Sequence, residues 1–283
     1  FKPDAAVGTG GYVCFPVLRA AHELGIPTAV HESNAVPGLT TKMLEGSMDA
    51  VMVGFEESRA NYKHPERVAV TGTPVRGEFL RTGKAEAKRA LGLPEDKPLV
   101  ASVWGSLGAQ HMNDIMSDFI VRACANPFFG LIHSAGKAGY EKMAARLESE
   151  KPGYDRLGMD VRAYIYDMPT VMAAADLVLC RAGASTLAEL TAMGKPAVLV
   201  PSPNVTNNHQ EKNARVLEAA GGARVLLESE FTADSLLGLV SELLHHPEEL
   251  EAMAANMRAV GVQDATDRIA EIVMGLARSH AGE

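Results

Sequence analysis

The chain has 283 residues, 47% of them hydrophobic and 22% charged, with a formal net charge of −8. That length exceeds what one hydrophobic core ordinarily serves and the composition excludes a disordered chain, so two α/β units are expected. The acidic balance argues against nucleic acid as a partner, and no apolar run is long enough to span a bilayer.

In chain order, β-rich runs are expected at 4–7, 27–31, 50–53, 67–71, 99–103, 128–133, 161–165, 177–180, 197–200 and 223–227. Between them lie stretches with apolar spacing near 3.6, such as 17–24, 114–125 and 208–219. Alternation of this kind predicts parallel sheets with crossover helices, and near-continuous apolar strands predict sheets covered on both faces. The segment Thr71-Gly72-Thr73-Pro74-Val75-Arg76 ends a strand and leads into a mixed-charge stretch, which marks a boundary. About four strands precede it and six follow, so the first unit is expected to be incomplete. The basic stretch Lys84 to Arg89, which also contains Glu86, reads as a solvated helix face. The tail from Pro247 to Ala277 reads as helical, with no strand after it.

Three glycine loops follow a strand and open a helix: Gly8-Thr9-Gly10-Gly11-Tyr12, Gly105-Ser106-Leu107-Gly108-Ala109 and Arg181-Ala182-Gly183-Ala184-Ser185-Thr186. Glycine permits a tight turn and a close backbone approach, and a helix N-terminus offers free N–H groups to a phosphate. Each loop alone fits an ordinary βα turn equally well. None matches the P-loop pattern, and none gives G-x-G-x-x-G followed by a suitably spaced acid. Glu189 lies one turn past Ser185 and has two readings. It is a carboxylate for a ribose, or the last residue of a Thr186-x-x-Glu189 capping box; local sequence favours the cap.

The run Asn204 to Gln210 precedes a helix, and His209 and Gln210 on its first turn would face a crevice. His31-Glu32 at a strand end is a candidate acid/base pair, although a lone His there is more often a structural hydrogen-bonder. Cys14, Cys124 and Cys180 form no CxxC pair, and no His cluster has metal-ligand spacing, so no metal and no cofactor are expected.

Six segments, taken in order, resemble the MurG family of N-acetylglucosaminyltransferases. They are Gly8 to Val13, His31 to Asn34, Gly72 to Arg76, Gly105 to Ala109, Asp176 to Glu189, and His209-Gln210 before Asn213-Ala214. The resemblance implies an α/β GT-B fold, two Rossmann-like domains facing across a cleft, with the N-terminal domain incomplete. Residues 1–75 would belong to the acceptor-binding domain and 76–261 would form the UDP-sugar domain. A C-terminal helix at about 262–280 would return to the first domain.

It further implies UDP-N-acetylglucosamine as donor and an undecaprenyl-linked muramyl peptide as acceptor, met at the cytoplasmic face of the cell membrane by a peripheral protein. Donor contacts carried over are Asn34, Arg76, Ser106, Ile165, Ala184, Ser185, Thr186, Leu187, Ala188, Glu189 and Gln210. Gly10, Gly11, Tyr12 and Asn113 fall on the acceptor side, and His31 and Glu32 near the chemistry. Under this resemblance the ribose reading of Glu189 outweighs the cap.

The family's first glycine loop and its proposed basic histidine would lie upstream of Phe1. Phe15 stands where the family usually has Gly, and Trp104 precedes Gly105 where Gly is usual; both are expected to disturb their loops. Rival readings are a related GT-B glycolipid transferase, a UDP-sugar epimerase, and a non-catalytic UDP-sugar-binding fragment.

Overall fold

The computed structural model describes residues 2–105 and 110–281. Its strands form two parallel sheets. The first contains β1 (Ala6–Gly8), β2 (Thr28–Glu32), β3 (Ala50–Val53) and β4 (Val68–Val70), paired in that order. The second contains β5 (Leu99–Val103), β6 (Gly130–Ser134), β7 (Met159–Arg162), β8 (Leu177–Cys180), β9 (Ala197–Leu199) and β10 (Ala223–Val225). Its order is β10-β9-β8-β5-β6-β7, so the chain reverses direction of travel at the β5/β8 pair. That is the six-stranded doubly wound order, and such sheets bind ligands outside the carboxyl ends of the strands at the reversal.

Helices fill the crossovers. With the first sheet lie α1 (Cys14–Glu23) and α2 (Leu39–Leu44). The larger unit carries α3 (Lys84–Ala90), α4 (Gln110–Ala123), α5 (Tyr140–Glu150), α6 (Met168–Ala174), α7 (Ala184–Met193), α8 (His209–Ala219), α9 (Ala233–His245) and α10 (Pro247–Val260). The chain ends in α11 (Ala265–Ala281).

The apolar strands of the larger sheet are explained by two cores, one on each face. Val100, Leu177, Leu179 and Val198 point into one cluster with Phe119 and Phe129. Their neighbours Leu99, Ala101, Val178, Cys180, Ala197 and Leu199 point into the other. Period-two alternation thus places a hydrophobic residue on each face in turn. The smaller sheet has its own cluster around Leu18, Val30, Leu44 and Val53.

Three expectations are corrected here. The strand expected at 161–165 is β7, ending at Arg162. Gly158, left-handed at φ 91°, starts it early, and pairing with β6 stops at Ser134↔Arg162. The basic stretch at α3 is not wholly solvated: Lys88 is 2% exposed and donates to the carbonyls of Glu95 and Lys97 at 3.1 and 2.8 Å. Phe15 does not strain its loop. It lies inside α1, needs no positive φ, and packs against the first sheet's core, while the left-handed positions fall on Gly10 and Gly11 at φ 86° and 80°.

Candidate functional site

The carboxyl ends of the two sheets meet through side chains from both. From the smaller sheet come the loop after β2 and the linker after β4. From the larger sheet come the loop between β8 and α7, and α8. Asn213, fully buried on α8, accepts the Ala35 N–H at 2.8 Å and donates to Asn34 Oδ1 at 3.1 Å and to the Ala182 carbonyl at 3.2 Å. One amide therefore connects the β2 loop with the β8 loop, and it fixes Asn34 against the crevice.

The β8 loop is rigidly built. Arg181 donates to the carbonyls of Val200 and Pro201 and lies 2.6 Å from Glu228, so its charge is already engaged. Gly183 is the N-cap of α7 with extended backbone, and no side chain caps the helix. The capping-box reading of Glu189 is thus overturned: the helix starts at Ala184, too early for Thr186 to be its cap. Ser185 and Glu189, four residues apart, share one helix face. Glu189 makes no hydrogen bond to the described residues, and burial raises its pKa above the ordinary carboxylate value while the Arg76 charge opposes the shift. Arg76 itself is exposed on the linker, over the Phe79 ring at 5.1 Å.

Leu187 turns into the core and its N–H is taken by the Gly183 carbonyl, so it is not free to contact a ligand. Ile165 is 3% exposed and also sits in the core, leaving mainly its backbone for contacts. Ala184 and Ala188 line a small gap against Gly54, Phe55 and Thr73 of the first unit. Thr186 is half-buried on the first turn of α7. Gln210 Oε1 accepts the Ser202 N–H at 2.9 Å, which holds the loop after β9. That loop contains Asn207 and Asn208, both left-handed, and His209 bonds back to the Thr206 carbonyl.

Trp104 does not enter the crevice. Its indole is buried edge-on against Phe231, with ring centroids 5.4 Å apart. Gly105 follows at φ 102°, and Ser106 lies outside the described residues.

On the smaller sheet, Gly10 and Gly11 border open space and Tyr12 is 88% exposed. Asn113 is not on that side. It is buried in the larger unit, where it donates to the Ala135 carbonyl and meets the His133 ring. His31 and Glu32, expected as an acid/base pair, are both engaged in hydrogen bonds within this region. Glu32 accepts from Asn34 N and Nδ2, Gly38 N and Thr41 Oγ1, so both oxygens are committed to the β2 loop. His31 Nε2 is 2.8 Å from the Gly72 carbonyl, and burial pushes its pKa below the ordinary value. Both residues hold the loop and linker in place.

The sequence reading missed Asn213 as an actor. The available signal was an amide in the interior of a helix, where Asn is unfavourable unless its side chain has buried partners. Among the described residues no group of three or more His, Cys, Asp or Glu is arranged to hold a metal.

Comparison with known proteins identifies the family. Residues 100–269 match the glycosyltransferase family 28 C-terminal domain, and residues 1–53 match the N-terminal domain of the same family. The chain is 43% identical over 282 residues to an Acetivibrio thermocellus protein named UDP-N-acetylglucosamine–N-acetylmuramyl-(pentapeptide) pyrophosphoryl-undecaprenol N-acetylglucosamine transferase, covering 99% of this chain and 75% of that protein. A Thermoanaerobacter sp. protein of the same name is 44% identical over 276 residues, with 98% and 75% covered. Among solved structures, Acinetobacter baumannii MurG superposes with a TM-score of 0.77 at 29% identity, covering 96% of this chain and 73% of that one. A Neisseria meningitidis UDP-GlcNAc 2-epimerase bound to UDP-GlcNAc shares the fold at a TM-score of 0.67 and 17% identity, covering 97% and 77%. The fold is therefore the GT-B arrangement of facing parallel sheets, and the chain belongs to glycosyltransferase family 28, among the N-acetylglucosamine transferases typified by MurG.

Proposed function

We propose that this chain carries out inverting transfer of N-acetylglucosamine from UDP-N-acetylglucosamine to the lipid-linked muramyl-peptide precursor of peptidoglycan. The observation that carries the reading is Glu189: a half-buried carboxylate with no hydrogen-bond partner among the described residues, aligned with Ser185 beside the β5/β8 reversal. A ribose presents two adjacent hydroxyls to such a group.

The acceptor hydroxyl attacks the anomeric carbon and gives its proton to a general base, the bond from that carbon to the diphosphate oxygen breaks, and UDP leaves carrying the negative charge. The free N–H groups at the start of α7 and the Arg76 guanidinium supply the positive field for that charge. Asn34, fixed by Asn213, reaches the donor sugar from the first unit. Gln210 orders the β9 loop at the rim. Gly10, Gly11 and Tyr12 form the acceptor side, and His31 and Glu32 shape it from behind. The division of labour between residues 1–75 and 76–261, with the final helix returning to the first unit, is part of the same proposal.

The site would work at a membrane surface, since the acceptor is lipid-linked. No helix among the described residues is long and apolar enough to cross a bilayer, so contact with lipid would be peripheral. Calorimetric titration with UDP-N-acetylglucosamine, UDP-glucose, UDP and ADP tests the donor half. Selective uridine-dependent binding that favours the N-acetylglucosamine donor is expected, and equal binding of ADP would remove the reading.

A further inference from the structure

A second cavity, of about 550 Å³, lies on the opposite side of the larger sheet from the cleft. Asp176 and Lys195-Pro196 immediately precede β8 and β9, which places it at the amino-terminal strand ends. Its walls include the outgoing linker at Phe79, Leu80 and Lys84, the end of α7 at Gly194, and the face of α10 at Leu250 and Arg258. Gln263, in the segment leading to α11, also lines it. Neither the donor nor the acceptor reading uses this cavity.

Its charges do not balance. Lys84, Lys195 and Arg258 face it, with Lys88 buried just beneath; the carboxylates are Asp176 and Glu251. Asp176 pairs with Lys84, lies 3.4 Å from Lys88 and accepts the Leu99 N–H at 2.9 Å, so one carboxylate is shared by two ammonium groups. Lys195 Nζ donates to the carbonyls of Ala173 and Ala175 at 2.6 and 2.9 Å, two of the three bonds an ammonium can make. The Arg258 guanidinium has no hydrogen bond or ion pair with the described residues. Its shaft lies across Gly194, where an added Cβ would come within 2.5 Å of Arg258 Cγ, so the missing side chain makes the room that holds the arginine over the cavity. Burial, opposed only by Asp176 and reinforced by Lys84, Lys88 and Arg258, lowers the Lys195 pKa to about 8. Cations crowded into a concavity at such a cost are in the state that a bound anion relieves.

The remaining wall is apolar, through Phe79, Leu80, Met193, Leu250 and Ala254. The volume suits a small molecule rather than a polymer. We infer that this cavity is a binding site for a small organic phosphate, its anionic head between Lys195, Lys84 and Arg258 and its apolar body against Phe79 and Leu250. The linker that follows β4 and the segment that leads to α11 both touch the cavity, as does the C-terminal end of α7.

The test uses phenyl phosphate and inorganic phosphate as probes, titrated calorimetrically into the protein saturated with UDP, so that the cleft is occupied. One site is expected, tighter for phenyl phosphate than for inorganic phosphate. Binding near pH 8.5 should take up a proton, measured in buffers of different ionisation enthalpy, because Lys195 recharges; near pH 6.5, where it is already charged, it should not. Arg258→Ala removes a guanidinium without polar partners among the described residues, should fold, and should weaken phenyl phosphate roughly ten-fold through loss of a charge-assisted contact while leaving UDP affinity unchanged. Lack of saturable binding by either probe, or binding that Arg258→Ala leaves intact, would overturn the assignment.

Discussion

Asn213 Oδ1 accepts the Ala35 N–H while its Nδ2 donates to Asn34 Oδ1, so one buried amide holds the loop of one sheet against the other. Asn213→Ala leaves the Ala35 N–H without a partner. Loss of a buried hydrogen bond of this kind costs about 1–3 kcal/mol. The expected result is a lower melting temperature together with weaker donor binding, because Asn34 also loses its anchor. Asn213→Asp keeps the acceptor but replaces the donor by a buried charge, and should be at least as damaging. Unchanged UDP-N-acetylglucosamine affinity in a folded Asn213→Ala protein would separate Asn34 from the donor.

Glu189 separates two roles cleanly. Because α7 is capped at Gly183, Glu189→Gln should not destabilise the helix. Burial raises the Glu189 pKa, so the folded state favours the protonated acid. The sign follows: the folded state loses stability as pH rises through the ordinary carboxylate value of 4.5 toward the raised folded value. Glu189→Gln should therefore melt slightly higher than the parent at neutral pH, with the difference fading below that range. UDP affinity should fall in the same variant by about 1.5–3 kcal/mol, as expected for losing a hydrogen bond to a charged group. Melting curves beside titrations check both signs.

His133 predicts an acid-labile core. It is fully buried beside Ser102 and Asn113, and burial drops its pKa to about 3 from 6.5. The unfolded chain binds that proton below about pH 6.5 and the folded chain does not. Stability should therefore fall as pH drops from 6.5 toward 3, and His133→Gln should flatten that slope even if it lowers stability overall. Denaturant melts at several pH values measure the slope directly.

Glu32→Gln tests whether the β2 loop needs a carboxylate. Glu32 receives four N–H or O–H donors, and a glutamine amide would turn two hydrogens toward some of them. The expected loss is about 1–3 kcal/mol of stability, with turnover per folded molecule largely retained. A fall in kcat of several orders of magnitude without any loss of stability would restore Glu32 to the chemistry.

Much of this architecture is legible in local sequence. The runs at Ala50–Val53, Leu99–Val103 and Leu177–Cys180 coincide with observed strands, because apolar strands covered on both faces stand out from amphipathic helices. Where the reading failed, the deciding contacts are distant in sequence. Lys88 resembles a surface lysine until Glu95, Lys97 and Asp176 surround it. Asn213 takes its meaning from partners 178 and 179 positions away. Glu189 fits a capping box locally, and only the helix start at Ala184 excludes one. Trp104 looked like an obstruction because a strand end does not reveal which way its side chain turns.

Phe15 provides the sharpest test of that last kind of error. Replacing it by Gly would bring the sequence closer to the usual family pattern, yet the structure predicts a loss. Phe15 is helical in α1 and packs on the core around Leu18 and Val30. Glycine there gives up this packing and adds backbone freedom to the unfolded chain, the latter alone costing about 0.5–1 kcal/mol in a helix. The loop's turning freedom is already supplied by Gly10 and Gly11, so nothing is gained in the loop. Phe15→Gly should therefore melt at a lower temperature without any increase in transfer activity, whereas higher activity would show that the phenyl ring obstructs acceptor entry after all.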